Sequence, residues 1–303
     1  MAAISRAQLL RELLPGLNAL FGQEYARYEN EHAEIYQEYG SERSFEEDAK
    51  ITPFGTAPVK EEGSATYFDT AQEGYAARYT HETVSMGFAL TQEAFEDNLY
   101  DSLSARYVAE LARSMANTKQ IKAAYVLNNG FSTYKTGDGV SLFNTSHPQV
   151  AGPVISNTQA TPADFSETSL EAATIQIAKW TDERGKLINA RVRKLIIPVD
   201  LQYTATRVLN SELRVGTSDN DINALKYMAS VPEGFAINHY LTDTNAWFLL
   251  TNVTNGFKYF NRVPISDATD GDFTTGNFRW KMRERYSFGV SDYLAGWGSP
   301  GGS

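Results

Sequence analysis

From Phe88 to Asn129 the chain runs without a glycine or proline, and its apolar positions recur at three and four residues: Phe95, Leu99, Leu103, Tyr107, Leu111 and Met115. That period predicts one long amphipathic helix, capped at Thr91 and ending at Asn128 before Gly130. At 1.5 Å per residue it would span about 57 Å, whereas a compact globule of this chain length is only about 50 Å across. Either the helix breaks, at Asn117-Thr118, or the protein is elongated and lies against copies of something else.

Shorter periodic segments flank it. Ser5 and Gln8 form a capping box for a helix ended by Pro15-Gly16, and Leu17, Phe21, Tyr25, Tyr28, Ile35 and Tyr39 share a second helical face up to Gly40. Between Ile51 and Met86, Pro53, Gly55, Pro58, Gly63 and Gly74 punctuate the chain, and the alternation through Tyr75, Ala77, Tyr79 and His81 predicts a two-stranded projection, Thr66 to Asp69 with Tyr75 to Val84. A lone hairpin is marginal in water, so arm and projection both require a neighbour. A loop-rich stretch follows the long helix to Pro162. Helices are then predicted over Ser166 to Thr181 (Leu170, Ala173, Ile177 and Trp180 inward) and Val199 to Asn210 (Leu201, Ala205, Val208 and Leu209 inward). Strands are predicted over Arg191–Pro198, Phe235–Leu241, Ala246–Thr251, Phe257–Arg262 and Phe278–Val290. The last alternates Arg279, Lys281, Arg283 and Arg285 with Trp280, Met282, Glu284 and Tyr286. Helices and strands mix without βαβ regularity, which makes the class α+β. Gly296 to Ser303 reads as a glycine-rich tail.

Composition narrows the function. The chain has 303 residues, no cysteine and a net charge of −10, and residues 1–90 hold seven basic against fifteen acidic side chains. An acidic balance is not the footprint of a DNA-binding domain, and reads as a solvated surface. No apolar run approaches the roughly 20 residues of a membrane span, and the N-terminus lacks a secretory pattern. Zero cysteines exclude disulfides and thiolate metal sites.

Sequence signals for catalysis are weak. Gly296-Trp297-Gly298-Ser299-Pro300-Gly301 matches a dinucleotide glycine pattern, but no helix follows to hold a pyrophosphate. Asp267, Asp270, Gly271 and Asp272 lack EF-hand spacing and read as a turn; Asp219 and Asp221 read as a surface turn beside Asn220. His32, His81, His147 and His239 stand apart without metal spacing. His147, before Pro148 in a glycine-rich loop, has no nucleophile motif beside it and reads as a loop anchor. No cofactor, metal or catalytic residue is assigned.

The order of segments is more informative than any one motif. Tyr79-Thr80-His81 leads into Gly87-Phe88-Ala89-Leu90-Thr91-Gln92-Glu93-Ala94-Phe95-Glu96-Asp97-Asn98-Leu99-Tyr100; Gly137-Asp138-Gly139, Leu142-Phe143 and His147-Pro148 follow; then come Leu195-Ile196-Ile197-Pro198 and Arg283-Glu284-Arg285-Tyr286-Ser287-Phe288-Gly289-Val290. Spread from about Ser5 to Gly298, these segments resemble the major capsid proteins of tailed bacteriophages with the Hong Kong 97-type fold, most closely the Mu-like major head subunit group. The resemblance implies an N-terminal arm (1–50), an extended loop overlapping a neighbour (51–88), a spine helix (91–128) within a peripheral domain (89–165 and 276–303), and an axial domain (166–275). It implies self-assembly into hexamers and pentamers, an icosahedral shell around double-stranded DNA built in the bacterial cytoplasm, separate scaffold and portal proteins, a decoration protein, and no membrane. Inter-subunit contacts are expected at Phe21, Tyr25, Tyr28, Tyr36, Phe54, Tyr67, Phe68, Tyr75 and Tyr79. Lys60 is read as solvated and not as a crosslink donor, and the start at Met1 as a subunit whose arm is not cleaved. Two other readings stand beside this one: an encapsulin-like nanocompartment shell enclosing cargo enzymes, and a β-rich carbohydrate-binding protein or hydrolase suggested by 17 tyrosines and four tryptophans.

Overall fold

The computed structural model describes residues 18–91, 100–149, 152–214, 221–271 and 277–302. Residues 18–26 are helical, a 3-10 turn follows at Glu31–Glu34, and the chain enters strand β1 (Gln37–Gly40). Strands β2 (Phe45–Ile51), β3 (Glu73–Thr80) and β4 (Glu82–Leu90) precede helix α1 (Tyr100–Asn128). Helix α2 (Glu167–Ala178), β5 (Val192–Ile197), α3 (Gln202–Asn210), α4 (Ala224–Tyr227), β6 (Phe235–Ile237), β7 (Trp247–Thr251), β8 (Phe257–Gly271), β9 (Phe278–Val290) and β10 (Gly296–Ser299) complete it. One sheet has the order β1-β8-β9-β4, a second β10-β7-β5-β6, and β2 pairs with β3 alone.

Strand β9 forms over the range its alternation predicts. It pairs antiparallel with β8 from Phe278 to Val290 and with β4 from Phe278 to Tyr286. Trp280, Met282, Glu284 and Tyr286 are buried, and Trp280 and Met282 pack with Val108, Leu111, Ala112 and Met115 of α1 and with Phe21. Strand β8 runs nine residues past the predicted Arg262. Its register shifts at Asn261/Val263 and Val263/Ser266, around Pro264, where β1 no longer pairs and the missing N–H costs no ladder bond. Helix α1 is unbroken through Asn117-Thr118, and Thr118 Oγ1 donates to Ser114 O at 2.8 Å, a bond an intact turn accommodates. The predicted helix positions Phe95 and Leu99, the capping box at Ser5, and Asp219, Asn220 and Asp272 lie outside the described residues.

The second sheet carries the larger core. Leu195, Ile196 and Ile197 of β5 and all five residues of β7 are buried with Leu170, Ala173 and Ile177 of α2 and Ala205 and Val208 of α3. Ser166 caps α2 through a reciprocal bond with Ser169, so the helix starts where its sequence signal places it. Phe235–Leu241 shortens to β6, and Val199–Leu201 is a 3-10 turn leading into α3.

Three expectations are corrected. The second predicted helix ends at residue 26, and residues 37–40 form β1, parallel to β8; Asn30 interrupts the helical period, and Ile35 and Tyr36 gain more burial against the core than a helix would offer. The partner of β3 is β2, not Thr66–Asp69: the charges of Glu46, Glu47, Asp48 and Lys50 mask a strand whose face is completed by Arg78, ion-paired with Glu47 at 3.6 Å and lying over the Phe45 ring at 3.9 Å. The glycine-rich tail is the buried strand β10. There a Cβ at Gly298 would stand 3.0–3.1 Å from Phe143, Phe248 and Phe131, so glycine is what lets the strand in, and Trp297 is fully enclosed.

Two polar clusters are closed inside this framework. Lys119 of α1 meets the buried Glu284 of β9 at 2.7 Å; Tyr25 donates to the same carboxylate at 3.3 Å, and the rings of Tyr25, Tyr259 and Tyr286 surround the ammonium at 5.3–5.9 Å. Burial pushes the Glu284 carboxyl above its ordinary value, and Lys119 opposes that rise. In the loop after α1, His147 bonds Asp138 at 2.6 Å and Asn157 at 3.0 Å and stacks on Tyr293 at 3.9 Å. Burial raises the Asp138 carboxyl, but the bonds from His147 and Thr136 outweigh it and hold the group below the usual range.

These clusters set the stability. Lys119→Met leaves Glu284 buried without its counter-charge and is expected to cost about 3–5 kcal/mol in urea unfolding. Because the unpaired carboxyl is then favoured only when protonated, the loss grows as pH rises above the unfolded value, and Lys119→Met with Glu284→Gln recovers most of it. His147→Ala strands Asp138 and is expected to cost about 3 kcal/mol by the same measurement. Burial lowers His32 from 6.5 to about 4, so the unfolded chain binds the proton first. The His32 contribution to stability is therefore full above pH 6.5 and falls by about 3 kcal/mol as pH drops toward 4, and His32→Phe flattens that part of the unfolding profile.

Candidate assembly surface

The segment between β2 and β3, residues 52–72, forms no strand, because Pro53, Gly55, Pro58 and Gly63 interrupt any ladder. Its ends are clasped: Thr52 N donates to Gln72 O at 2.9 Å and Gln72 N to Thr52 Oγ1 at 2.8 Å. Its flank rests on the turn around residues 181–187. Arg184 reaches Asp69 at 3.2 Å and Thr70 O at 2.9 Å, and Lys186 donates to Phe54 O. Bonds from the Gly55 and Thr70 amides, then Arg184, hold the Asp69 carboxyl below its ordinary value.

Beyond the clasp, apolar side chains face water. Val59 is 95% exposed, Phe68 88%, Tyr67 64% and Phe54 59%, more than a lone soluble domain leaves on one loop. Of the aromatics expected at subunit contacts, Phe54, Tyr67 and Phe68 are thus presented outward, and Tyr25, Tyr28 and Tyr75 are half-buried. Phe21, Tyr36 and Tyr79 are buried within their own chain. Phe21 stacks on Tyr25 and meets Trp280 edge-on, Tyr36 donates to Ala123 O at 2.7 Å, and Tyr79 bonds Ser291 at 2.5 Å. Sequence reasoning passed over Val59, Ile51, Ile121 and Tyr125, all exposed. Ile121 and Tyr125 lie four apart on α1 and share a face, a spacing readable in the sequence but absorbed into the general period of the helix. Lys60 is exposed.

Residues with catalytic potential are closed off or dispersed. His147 is fully buried, so no substrate reaches its ring. His32 bonds Gln120, His81 lies between Ser41 and Ser287, and His239 bonds Glu31, each in a separate place. Asp267 and Asp270 are exposed on β8 instead of forming a turn. Among the described residues no group of three acidic or histidine side chains could hold a metal ion, and no helix is long and apolar enough to cross a membrane. All four tryptophans, Trp180, Trp247, Trp280 and Trp297, are buried, which leaves no tryptophan platform for a sugar.

No curated protein matches the chain. Among solved structures it is similar to the capsid of cyanophage P-SCSP1u (TM-score 0.57, 9% identity, 87% of this chain and 85% of that one). It is also similar to the procapsid of bacteriophage JBD30 (0.52, 14%, 98% and 76%) and to a virus-like particle from Pyrococcus furiosus (0.52, 10%, 95% and 99%). At these identities the likeness is one of fold. A family model described as phage capsid protein matches residues 74–298, from the first residues of β3 to β10. The chain therefore belongs to the phage capsid protein family, with the Hong Kong 97-type capsid fold.

Proposed function

We propose that this chain is the major head subunit of a tailed phage of the Mu-like group, that it assembles with itself into hexamers and pentamers, and that the closed shell encloses double-stranded DNA. The observation that carries the self-assembly is the loop 52–72: held only at its base and one flank, it presents Phe54, Val59, Tyr67 and Phe68 outward. Large obligate interfaces are built from apolar surface of this kind. In this reading the loop lies across a neighbour, and α1 with the sheet β1-β8-β9-β4 forms the peripheral domain. The sheet β10-β7-β5-β6 with α2, α3 and α4 forms the axial domain. The boundaries then depart from a simple division by sequence, since β8 joins the first sheet and β10 the second. A separate scaffold, a portal and a decoration protein complete the proposal, with assembly in the bacterial cytoplasm.

Electron microscopy of the purified chain tests it: rings or closed shells are expected, and a monodisperse monomer would overturn it. Phe68→Asp is expected to abolish those assemblies while leaving the unfolding free energy of the unassembled chain within about 0.5 kcal/mol of the parent, because the residue is almost wholly exposed in its own subunit.

A further inference from the structure

The chain holds two Asn-Gly pairs, Asn129-Gly130 and Asn255-Gly256. In such a pair the glycine has no side chain to keep its amide from the asparagine carboxamide, so the main-chain nitrogen can reach Cγ. The fold treats the two pairs differently. Asn129 follows the last turn of α1: its Nδ2 donates to Tyr125 O at 3.0 Å, its Oδ1 accepts from Thr133 at 3.1 Å, and Gly130 N donates to Leu127 O at 3.1 Å. Gly130 is buried, and a Cβ there would stand 2.7 Å from the Phe143 ring. Asn255 is exposed in the turn between β7 and β8, with φ at +59°, a left-handed conformation that asparagine tolerates. At Gly256 a Cβ would meet Ala295 Cβ at 2.4 Å, so only glycine fits. This turn is held by its carbonyls: Asp292 N donates to Asn255 O at 3.0 Å and Ser291 N to Gly256 O at 3.1 Å, while Gly256 N has no acceptor among the described residues. Lys258 Nζ donates to Asn255 Oδ1 at 3.2 Å and to Asp48 at 2.5 Å. Clefts of about 280 and 200 Å³ flank Asn255 and admit water, one beside Asp48 and Ser291, the other beside Gln37 and Arg193.

We propose that Asn255-Gly256 is a site of self-modification in the folded chain, at which the Asn255 carboxamide becomes a carboxylate seated on Lys258, and that Asn129-Gly130 is spared. Hydroxide removes the proton of the Gly256 amide, and the nitrogen attacks Asn255 Cγ. The bond between Gly256 N and Cγ forms, the bond from Cγ to Nδ2 breaks, and ammonia leaves with a proton taken from water. Water then opens the succinimide at either carbonyl, which gives aspartate or isoaspartate at 255. Lys258 acts on the first step, because its ammonium lies on the oxygen where negative charge develops as the nitrogen adds. At Asn129 the same attack requires the bonds of Gly130 N and Asn129 Nδ2 to open first, and each opening lowers the reactive fraction several-fold. The left-handed turn and the contact with Ala295 select asparagine and glycine at 255 and 256 on steric grounds, so the reactive pair comes with the fold. Its product puts a second carboxylate on the ammonium that joins Asp48 of β2 to β8.

Peptide mapping by mass spectrometry of the full chain, kept folded at mildly alkaline pH, tests the proposal. Asn255 is expected to convert roughly tenfold or more faster than Asn129, with isoaspartate among the products, and to lose that lead in urea, where both pairs are open. An Asn255 that keeps its amide, or equal conversion of the two pairs in the folded chain, overturns the proposal. Lys258→Gln is expected to slow conversion at Asn255 several-fold, and Lys258→Arg, which keeps the charge, to retain the parent rate. The amide at Asn129, read in the same digest, reports that each variant is folded. An unchanged rate in folded Lys258→Gln, or equal slowing in Lys258→Arg, overturns the part assigned to Lys258.

Discussion

The contact between β9 and α1 is the constraint on which the rest of the subunit depends. The strand is hydrogen-bonded on both edges, and its inner face supplies Trp280, Met282, Glu284 and Tyr286 to the helix. A slip of one residue would put Arg283 or Arg285 in place of Glu284, opposite Lys119, so the alternation fixes register far more firmly than burial of apolar groups alone. Through β9 the other parts find their places. The helical residues 18–26 dock through Phe21 and Tyr25, β1 reaches the sheet through β8, and the hairpin β2–β3 is tied to the end of β9 by Tyr79 and Ser291 and by Asp48, which meets both Ser291 and Lys258.

Buried polar groups join segments distant in sequence. Asn157 donates to Leu142 O, Tyr293 O and Gly296 O at 2.7–3.2 Å, joining the loop after α1 to the C-terminal strand. Lys50 lies 4.6 Å from the centroid of the Tyr293 ring and pairs with Asp292 at 3.2 Å, which ties the foot of the loop 52–72 to the same cluster. Dispersion and area would hold these segments together without choosing among arrangements. Hydrogen bonds that must all be made in a dry place restrict the choice to one.

Much of this was legible in the chain because the period was strong where burial was one-sided. The helix ending at Asn128, the range of β9, the inward face of α2 and the strand β5 follow from spacing and capping alone. What was illegible has a common physical cause, in that the deciding partner lies far away in sequence. β1 is a strand because β8 accepts it, β2 carries too many charges to look like one, and β10 consists of small residues around one tryptophan and is drawn into the sheet by β7. Of the aromatics assigned to subunit contacts, the sequence could not separate Phe68, which points away, from Tyr79, whose hydroxyl finds Ser291 more than two hundred residues on. The buried histidine–aspartate pair was legible only as a motif, since nothing local indicates that Tyr293 will roof it.

The ring of three tyrosines around Lys119 has a mechanical meaning. A helix that meets a sheet through apolar side chains alone can roll about its axis, exchanging one greasy contact for another at small cost. Here a charge sits off-axis in a fitted socket, and rolling α1 by even part of a turn would drag the ammonium away from Glu284 into a medium that cannot solvate it. The helix is keyed like a shaft in its hub: torsion about the long axis is forbidden, whereas bending along it breaks no such bond. However the helix bends, it keeps the same face turned to the sheet.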